Sequence, residues 1–513
     1  MLAAVAVCLG IAWVILKSLQ WAAASGPSVS GPIPTLNKEP PSPASLRPEK
    51  SIAVLPFADL SPQKDQEYFC DGMTEEIITD LSHIHGLLVI SRNSAMTFRG
   101  TQKKTSEIAK DVNVRYVLEG SVRKAGNDLK ITAQLIDAVN DAHLWAEMYS
   151  GTLDDVFDIQ EKVSRSIVDA LKLKLTPEER QGIIARPITS VAAYDLHIRA
   201  RHEVWRGTEE SLESATRLVK KGFDIIGDNE ILYADMAFIY IMYMDAGIKK
   251  EEDLFVKVEE CIQKVFSLNP RSSYGHYLSG MSRRKKGDTQ EAVRELKQSL
   301  AMDPNHPDSI LWLSWVYAHS GKVFRARTLI ERLLNIDPLN PLSYFISGLV
   351  EVMDGKFERG LEELNKARQM EGENPIYRYW IAKGLAYARR YEEAYKFFDQ
   401  IEKESPETAW AKLGSFFKFA LQNNKSEALQ SVTEEFKRLM KEDELFPIWM
   451  AESYALINEK NEAINWVENG VKFGFIDYPF LMEYDLFLAN IRGEERFKKL
   501  MERVKYDWEH FED

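Results

Sequence analysis

Two different spacings of apolar residues divide this 513-residue chain. The first occupies residues 51–175, where short apolar runs alternate with helical stripes. Ser51–Phe57 is an apolar run bounded by turn formers, and it predicts a buried strand that ends at Pro56. Over 67–85 the apolar residues recur every four positions, which predicts a helix with one face in water.

The remainder of this region predicts a meander and further helices. Tyr116–Lys124 and Leu129–Val139 flank a turn cluster and predict a hairpin, and His143–Tyr149 predicts its third arm. We also predict a strand over 87–90 and helices over 105–111 and 157–173. Strands mixed with helices over this length predict an α+β domain, in which helices cover one mixed sheet.

The second spacing is a repeat of 34 residues. Pro270, Pro304, Pro338 and Pro406 are separated by 34, 34 and 68 residues. A period of 34 is typical of the tetratricopeptide repeat, a helix-turn-helix unit that buries its apolar face only by stacking on its neighbours. The period predicts an all-α superhelical solenoid over 190–490 with seven to eight helical pairs, closed by a capping helix over 491–513.

Small residues recur on the same period. One set lies where the two helices of a unit should cross, and a second set lies in the second helix of each unit. A larger side chain at these positions would push the helices apart. The first set is Gly280, Ser314, Gly348 and Ala382, and the second is Ala292, Ala326, Gly360 and Ala394.

The first helix of each unit should line a concave groove. Applying the usual groove-facing positions of such repeats selects a stripe rich in aromatic side chains, which bury large areas at low entropy cost. We predict that this groove binds a protein or an extended peptide, although some rings could instead pack against the neighbouring repeat. The selected residues are Tyr274, Tyr277, Met281, Leu311, Trp315, Phe345, Leu349, Tyr379 and Lys383.

The amino-terminal segment has a composition of its own. Residues 1–24 carry a single charge, Lys17, and predict a membrane anchor, with a cleaved secretory signal as the alternative. Residues 25–50 are rich in Pro, Ser and Gly and predict an extended linker. We expect the bulk of the chain to be periplasmic. The cytoplasmic side of the inner membrane is the alternative, because the basic residues follow the apolar run and none precedes it.

Charge and composition narrow the possible functions. The formal net charge is −13, so an acidic repeat array is a poor match for a phosphate backbone, and no nucleic-acid partner is expected. The three cysteines are far apart in sequence and suggest neither a disulfide framework nor a thiolate metal site. The sequence contains no known catalytic or phosphate-binding motif. We therefore predict no catalytic residues, no cofactor and no metal, and hence no enzyme.

Several blocks of the first region resemble a known family. SIAVLPFADLSPQKDQEYFCDGMTEEI and RYVLEGSVRKAGNDLKITAQLIDAVNDAHLWAEMYSG are similar to the TolB-like, FlgO-related amino-terminal domain of bacterial membrane proteins that carry tetratricopeptide repeats. The tail EYDLFLANIRGEERFKKLMERV resembles the closing segment of the same arrays. In that family a class III adenylate or guanylate cyclase domain, or a winged-helix domain, often precedes the membrane segment. This chain has no residues that correspond to either domain.

Together these features predict a non-catalytic, membrane-anchored envelope protein that binds partner proteins through its groove, in a scaffold or sensor role. The alternative is the regulatory portion of a nucleotide cyclase or transcription regulator whose effector domain is absent from this chain.

Overall fold

The computed structural model describes most of the chain from residue 48 onwards. The predicted anchor and most of the predicted linker lie outside the described residues. Within the described part, no helix is both long enough and apolar enough to cross a bilayer. The described residues are 48–184, 187–204, 206, 208–245, 251–371, 374–441 and 443–511.

One mixed sheet forms the centre of the first region. Its main strands follow the order β3-β1-β4-β5-β6, and β2 pairs with β4 beside this path. β1 runs parallel to β3 and β4, whereas β4, β5 and β6 form the predicted antiparallel meander. The strands are β1 Ser51–Val54, β2 Ala58–Asp59, β3 Leu88–Val89, β4 Tyr116–Ala125, β5 Asp128–Asp137 and β6 Ala142–Thr152.

Helices cover both faces of this sheet. On one face the longest helices pack on alternate strand residues such as Leu118 and Ile131, and on the other face Phe98 and Ile108 pack on Val117. Alternation along each strand supplies both apolar surfaces. The helices are α1 Glu67–Ser82, α2 Arg92–Met96, α3 Thr105–Asp111, α4 Val156–Ala170 and α5 Pro177–Ile184. The predicted α+β arrangement is confirmed.

The second region consists of stacked helical pairs. The described residues contain eight such pairs, within the predicted range. In order, the pairs are α6 Val191–Val204 and α7 Glu209–Ile226; α8 Glu230–Asp245 and α9 Glu251–Leu268; α10 Ser273–Lys285 and α11 Thr289–Met302; α12 Pro307–His319 and α13 Val323–Ile336; α14 Pro341–Met353 and α15 Phe357–Glu371; α16 Pro375–Tyr387 and α17 Tyr391–Glu404; α18 Ala409–Leu421 with α19 Lys425–Gln430 and α20 Glu434–Leu439; and α21 Phe446–Leu456 and α22 Lys460–Lys472.

The predicted small residues sit where helices cross. A Cβ added to Gly348 of α14 would lie 2.6 Å from Cγ of Leu364 and 3.0 Å from the carbonyl oxygen of Gly360, both on α15. Such distances are below van der Waals contact, so the two helices of this pair approach as closely as they do because the position has no side chain.

The seventh pair departs from the pattern because its second helix is broken. Ser431 donates its hydroxyl to the carbonyl of Ala428 at 2.7 Å, and Thr433 then starts a new helix by accepting the N–H of Phe436 at 3.2 Å. Such local bonds compete with continued helix. Two six-residue helices, α19 and α20, therefore replace one long helix.

The chain beyond the eighth pair is irregular before it forms a last helix. A short π-helical turn at Phe480–Tyr484 and a 3-10 turn at Leu486–Leu488 precede α23, Glu495–Glu509. In α23 Phe497, Met501 and Val504 are buried, while most of the other side chains face water. This is the polar-faced end helix expected of a repeat array.

Candidate functional site

The α+β domain docks on the turns that follow the second helices of the third and fourth pairs. Two aspartates that precede Pro304 and Pro338 form the contact. The Asp337 carboxylate accepts hydrogen bonds from the hydroxyls of Ser91 and Ser94, and one repeat earlier Asp303 accepts from the Ser82 hydroxyl at 3.2 Å. The 34-residue repeat therefore places two equivalent carboxylates opposite serines of the sheet domain.

Hydrogen bonds to backbone carbonyls strengthen the same interface. The side-chain amide of Asn305 donates to the carbonyls of Ser82 at 3.0 Å and Leu87 at 3.2 Å. The Ser91 N–H donates to the Ile336 carbonyl at 2.6 Å. Hydrogen bonds of this kind satisfy buried polar groups from both sides, so the two regions are joined by specific contacts rather than by apolar packing alone.

A cavity of about 1160 Å³ lies between the α+β domain and the first helical pairs. Glu75 of α1 pairs with Arg92 at 3.0 Å and with Arg201 of α6 at 2.6 Å. His197 pairs with Asp235 of α8 at 2.6 Å. Burial pulls the pKa of His197 down, but the Asp235 carboxylate outweighs it and the pKa is raised. This charge network links the sheet domain to the solenoid through side chains that already pair with one another.

The predicted partner-binding residues lie on α10, α12, α14 and α16, the first helices of the third to sixth pairs, and we call the surface that they form the groove. In this structure their side chains are buried. Eight of the nine side chains are no more than 5% exposed, and Tyr274 is partly buried. A role in partner binding stays a prediction. The eight are Tyr277, Met281, Leu311, Trp315, Phe345, Leu349, Tyr379 and Lys383.

Part of this burial comes from the neighbouring repeat, the alternative considered from the sequence. The Phe345 ring meets the rings of Tyr377 and Trp380 on the next first helix, at centroid distances of 5.7 and 5.6 Å. The Tyr277 ring lies 5.0 Å from the ring of His306, which caps the start of the next first helix. Edge-to-face and tilted rings of this kind stabilise the contact between adjacent repeats.

The other part comes from the chain's own carboxyl-terminal segment. Glu444, just before α21, accepts a hydrogen bond from the indole N–H of Trp315 at 2.7 Å and pairs with Arg284 at 2.7 Å. The Arg284 guanidinium also lies 4.4 Å from the Trp312 ring. Burial would raise the pKa of Glu444, but Arg284 outweighs it and the pKa is lowered, so the group is a carboxylate. Glu444 therefore binds two first helices at once.

Helix α21, the first helix of the eighth pair, packs on the first helices of the sixth and seventh pairs. The Trp449 ring contacts Tyr379 and Trp380 of α16 and Trp410 of α18, with centroids 4.9–5.9 Å apart. One turn later Glu452 pairs with Lys383 and accepts the Tyr387 hydroxyl at 2.6 Å. The side chains of Lys383 and Glu452 are both fully buried. A Trp between two glutamates thus anchors this helix in the groove.

Lys383 is at the centre of a buried cluster of aromatic and acidic side chains. Its ammonium lies 3.6 Å from the centre of the Phe417 ring and 5.3 Å from that of Phe487. Burial lowers the pKa of Lys383, although the Asp485 carboxylate opposes this. Burial likewise raises the pKa of Asp485, to about 6. The cluster therefore holds one cation and two acidic groups away from water.

Three glycines with a left-handed backbone contact the rest of the carboxyl-terminal segment. Gly287, Gly321 and Gly355 are spaced by 34 residues and have φ of 76°, 66° and 69°. A Cβ on Gly321 would lie 2.8 Å from the Trp508 indole nitrogen, and one on Gly355 would lie 2.7 Å from the Tyr484 ring. These turns need glycine both for their φ and for the close approach of the carboxyl-terminal segment.

Sequence reasoning identified the groove side of this contact but missed its occupant. The 34-residue spacing of Gly287, Gly321 and Gly355 is visible in the sequence. A turn with positive φ requires glycine by itself, so this spacing does not indicate that the carboxyl-terminal segment contacts these turns. Glu444 and Glu452 lie in a stretch where the 34-residue pattern is degenerate. In the sequence, carboxylates there look like those of a solvent-exposed helix face, so they do not indicate a buried contact.

Two family comparisons match separate parts of the chain. Residues 48–166 match the family described as HilA/YgeH-like transcriptional regulator, second domain. Residues 283–344 match the tetratricopeptide repeat. The second match confirms the predicted repeats. The TolB-like resemblance of the first region stays a prediction, since the family that matches there carries a different description.

Curated relatives and solved structures add context. A Rhizobium meliloti (strain 1021) protein named "Putative adenylate cyclase 3" is 36% identical over 250 residues, 48% of this chain and 42% of that protein. The transcriptional regulator HilA of Salmonella typhimurium is 20% identical over 310 residues, 60% of this chain and 54% of HilA. The chain thus spans about half the length of the curated relatives it matches. A tetratricopeptide repeat protein from Parabacteroides merdae aligns over 55% of this chain and 100% of its own, at 13% identity and a TM-score of 0.37.

Proposed function

We propose that this chain is a non-catalytic protein-interaction module with a scaffold or sensor role. Its solenoid binds a partner protein on the concave face, and its α+β domain is held at a defined position beside that face. One observation carries the proposal: the groove holds a helix by two buried cations and a set of aromatic rings. Aromatic and arginine anchors in desolvated pockets are the usual hot spots of protein interfaces.

The interface with the α+β domain supports the coupling of the two regions. Asp303 and Asp337 bind serines of the sheet domain from consecutive repeats. A change in the curvature of the solenoid would therefore alter the spacing of these two contacts. This arrangement suits a module that passes the state of one region to the other.

Capture of partners by the full chain tests the proposal. Glu444→Gln/Glu452→Gln removes both carboxylates that hold α21 in the groove, and it should increase the recovery of specific proteins from a native membrane extract. Glu468→Gln is the matched control, because Glu468 pairs with Arg496 at the surface. Equal recovery by the wild type, the double variant and the control would contradict a groove-based function.

We further propose that residues 1–24 attach the chain to a membrane and that the folded part is periplasmic. The apolar composition of this segment and the Pro-rich stretch after it support the proposal. Membrane fractionation before and after an alkaline wash tests the attachment. Protease added to intact spheroplasts should digest the folded part, and protection from it would place that part on the cytoplasmic side.

A regulatory role toward an effector domain is a second candidate. The likeness of this chain to proteins named for adenylate cyclase activity and for transcriptional regulation favours it. Fusing the full chain to the unmatched part of the Rhizobium relative tests the idea. Cyclic AMP formation should differ between fusions that carry the wild-type chain and the Glu444→Gln/Glu452→Gln chain, and equal formation would contradict the regulatory role.

A further inference from the structure

We propose that strand β6 joins the α+β domains of two copies of this chain, by pairing antiparallel with β6 of the second copy about a two-fold axis at Met148. The sheets of the two copies then continue into one another. This self-association is separate from the partner binding proposed above, because it uses the open edge of the sheet and leaves the groove untouched.

The two edges of the sheet differ in what covers them. β3 forms one edge, and the residues that follow it dock on the solenoid, where the Ser91 N–H donates to the Ile336 carbonyl at 2.6 Å. β6 forms the other edge, four strand positions or about 19 Å away. None of its residues is buried. The solenoid therefore covers one edge of the sheet and leaves the other open.

Backbone donors and acceptors line this open edge. The Leu153 N–H donates to the Asn127 carbonyl at 2.8 Å, which fixes the phase of the ladder between β5 and β6. Since the residues of an antiparallel pair exchange bonds at alternate positions, the odd-numbered residues of β6 bond to β5. The N–H and C=O groups of Ala146, Met148 and Ser150 thus face away from the sheet, with no hydrogen bond to another described residue. Such a row is a template for a further strand.

The side chains of the edge do not prevent such pairing. Edge strands that stay unpaired usually carry Lys or Pro, or bend away at a bulge. Residues 145–151 contain neither Lys nor Pro, and the irregularity of β6 lies before them, at Leu144. Leu144 and Met148 are 44% and 56% exposed. The edge therefore lacks the usual protection and offers apolar surface that pairing would bury.

The strand is complementary to itself in one register. Centred on Met148, that register places Met148 opposite Met148 of the second copy, Ala146 opposite Ser150, and Glu147 opposite Tyr149. Glu147 is the one charged residue of 145–151, so no like charges oppose each other. Within one copy the Tyr149 hydroxyl already donates to Glu147 at 2.7 Å, and the same pair can form across the axis. A register centred on Ala146 fits less well, because it draws the bulge into the new ladder.

Sedimentation of the full-length chain in a mild detergent, over a range of protein concentrations, tests the association. The wild type should form a dimer. Met148→Lys should raise the dissociation constant by about tenfold or more, because it places two ammonium groups opposite each other at the axis. Phe324→Lys is the matched control, since Phe324 is 77% exposed on α13, and it should leave the dissociation constant unaltered. A monomeric wild type, or equal dimerisation of Met148→Lys and the wild type, would overturn the proposal.

Cysteine cross-linking tests the register, and it covers the case in which Met148→Lys does not fold. Opposite residues of a hydrogen-bonded antiparallel pair have Cα atoms about 5.5 Å apart, which a disulfide can span. Met148→Cys should therefore give a dimer on oxidation with copper phenanthroline, and reductant should cleave it. Ser150→Cys should not, because its two copies are about 14 Å apart in this register. Equal cross-linking of both variants and the wild type contradicts the proposed pairing.

Hydrogen exchange separates a second copy from any other occupant of the edge. In the wild type, the backbone amides of 144–152 should exchange more slowly as the protein concentration increases, and Met148→Lys should remove this dependence. Slow exchange at every concentration would mean that another part of the same chain covers β6. Fast exchange at every concentration would mean that nothing covers it. Either result overturns the proposal, whereas the capture of partner proteins by the groove is tested independently of both.

Discussion

Two interfaces join distant parts of this molecule, and their buried aspartates have different hydrogen-bond donors. Where the α+β domain meets the solenoid, Asp337 accepts hydrogen bonds from Ser91 and Ser94 on the opposite side. Where the carboxyl-terminal segment closes the groove, the hydrogen bonds that Asp477 and Asp485 accept from the described residues come from their own segment. The first arrangement joins two parts by hydrogen bonds, whereas the second buries two acidic groups, of which Asp485 interacts with the Lys383 ammonium across the contact.

This difference leads us to expect that the two interfaces differ in stability. A buried acidic group that is bonded from both sides stabilises the contact, while one that lacks such donors carries its desolvation cost uncompensated. We therefore expect the contact with the sheet domain to be the permanent one. The groove closure depends on two Glu-to-cation pairs, which offset the desolvation of the buried acidic groups.

Breaking the strongest pair in the closure should have the largest effect. Lys383→Met leaves Glu452 buried without its cation and removes the larger of the two favourable charges near Asp485, so we expect the closed groove to lose about 3–5 kcal/mol. Hydrogen exchange of 446–456 and the midpoint of urea unfolding measure this loss. Lys383→Met/Glu452→Leu, which removes both members of the pair, should recover most of it. A single variant as stable as the wild type would refute the central role of this pair.

The next largest effect should depend on pH. Burial raises the pKa of Asp477 to about 8, far above the value of an unfolded aspartate. The folded chain therefore retains a proton that the unfolded chain has lost, so stability falls as pH rises from ~4 towards 8. Asp477→Asn should remove this loss and stabilise the chain at pH 8.5 by an amount on the order of a few kcal/mol.

Thermal unfolding of the Asp477 variant and the wild type at pH 5 and pH 8.5 checks the sign. Asn keeps an oxygen that can accept the Phe480 N–H, so the local turn is preserved. The gain should be greater at pH 8.5 than at pH 5. An equal difference at both values would mean that the buried charge is not the cause.

A smaller effect is expected at the permanent interface. Asp337→Ala leaves the hydroxyls of Ser91 and Ser94 without their acceptor, at a cost of about 1–3 kcal/mol. Hydrogen exchange in 91–97 should increase while that of 446–456 stays unchanged. Asp224→Ala, at an exposed position on α7, is the control and should alter neither segment. Loosening of the groove helix by Asp337→Ala would mean that the two interfaces are coupled.

The smallest effect provides the baseline for both interfaces. Glu468 and Arg496 pair at the surface at 2.5 Å, with side chains 39% and 46% exposed. Glu468→Gln should change the free energy of unfolding by about 0–1 kcal/mol, because water and salt screen exposed pairs. Denaturation in low and high salt measures it, and a change as large as that of Lys383→Met would undermine the distinction based on burial.

Much of the fold follows from local spacing. The helix predicted over 105–111 spans Thr105–Asp111, and the three-stranded meander lies within two or three residues of its predicted ends. Apolar periodicity determines which face of an element is buried, and it is readable because both strands and helices repeat over a few residues. The 34-residue period likewise predicts that successive helical pairs stack on one another.

The candidate site was predictable on one side only. Position within the repeat identified Trp315, Tyr379 and Lys383 as groove residues, since helix geometry alone places them there. It could not show what covers them. Lys383 meets Glu452 across 69 residues, and Trp315 meets Glu444 across 129 residues. Neither separation is a multiple of the repeat, so no periodic signal marks these pairs.

The sequence by itself therefore determined the elements, the repeat and the face of each helix that must be buried, because these depend on neighbours along the chain. Only the tertiary structure decided that the groove is closed from within. That outcome depends on the return of a distant segment, where desolvation and charge pairing between remote residues outweigh local preference.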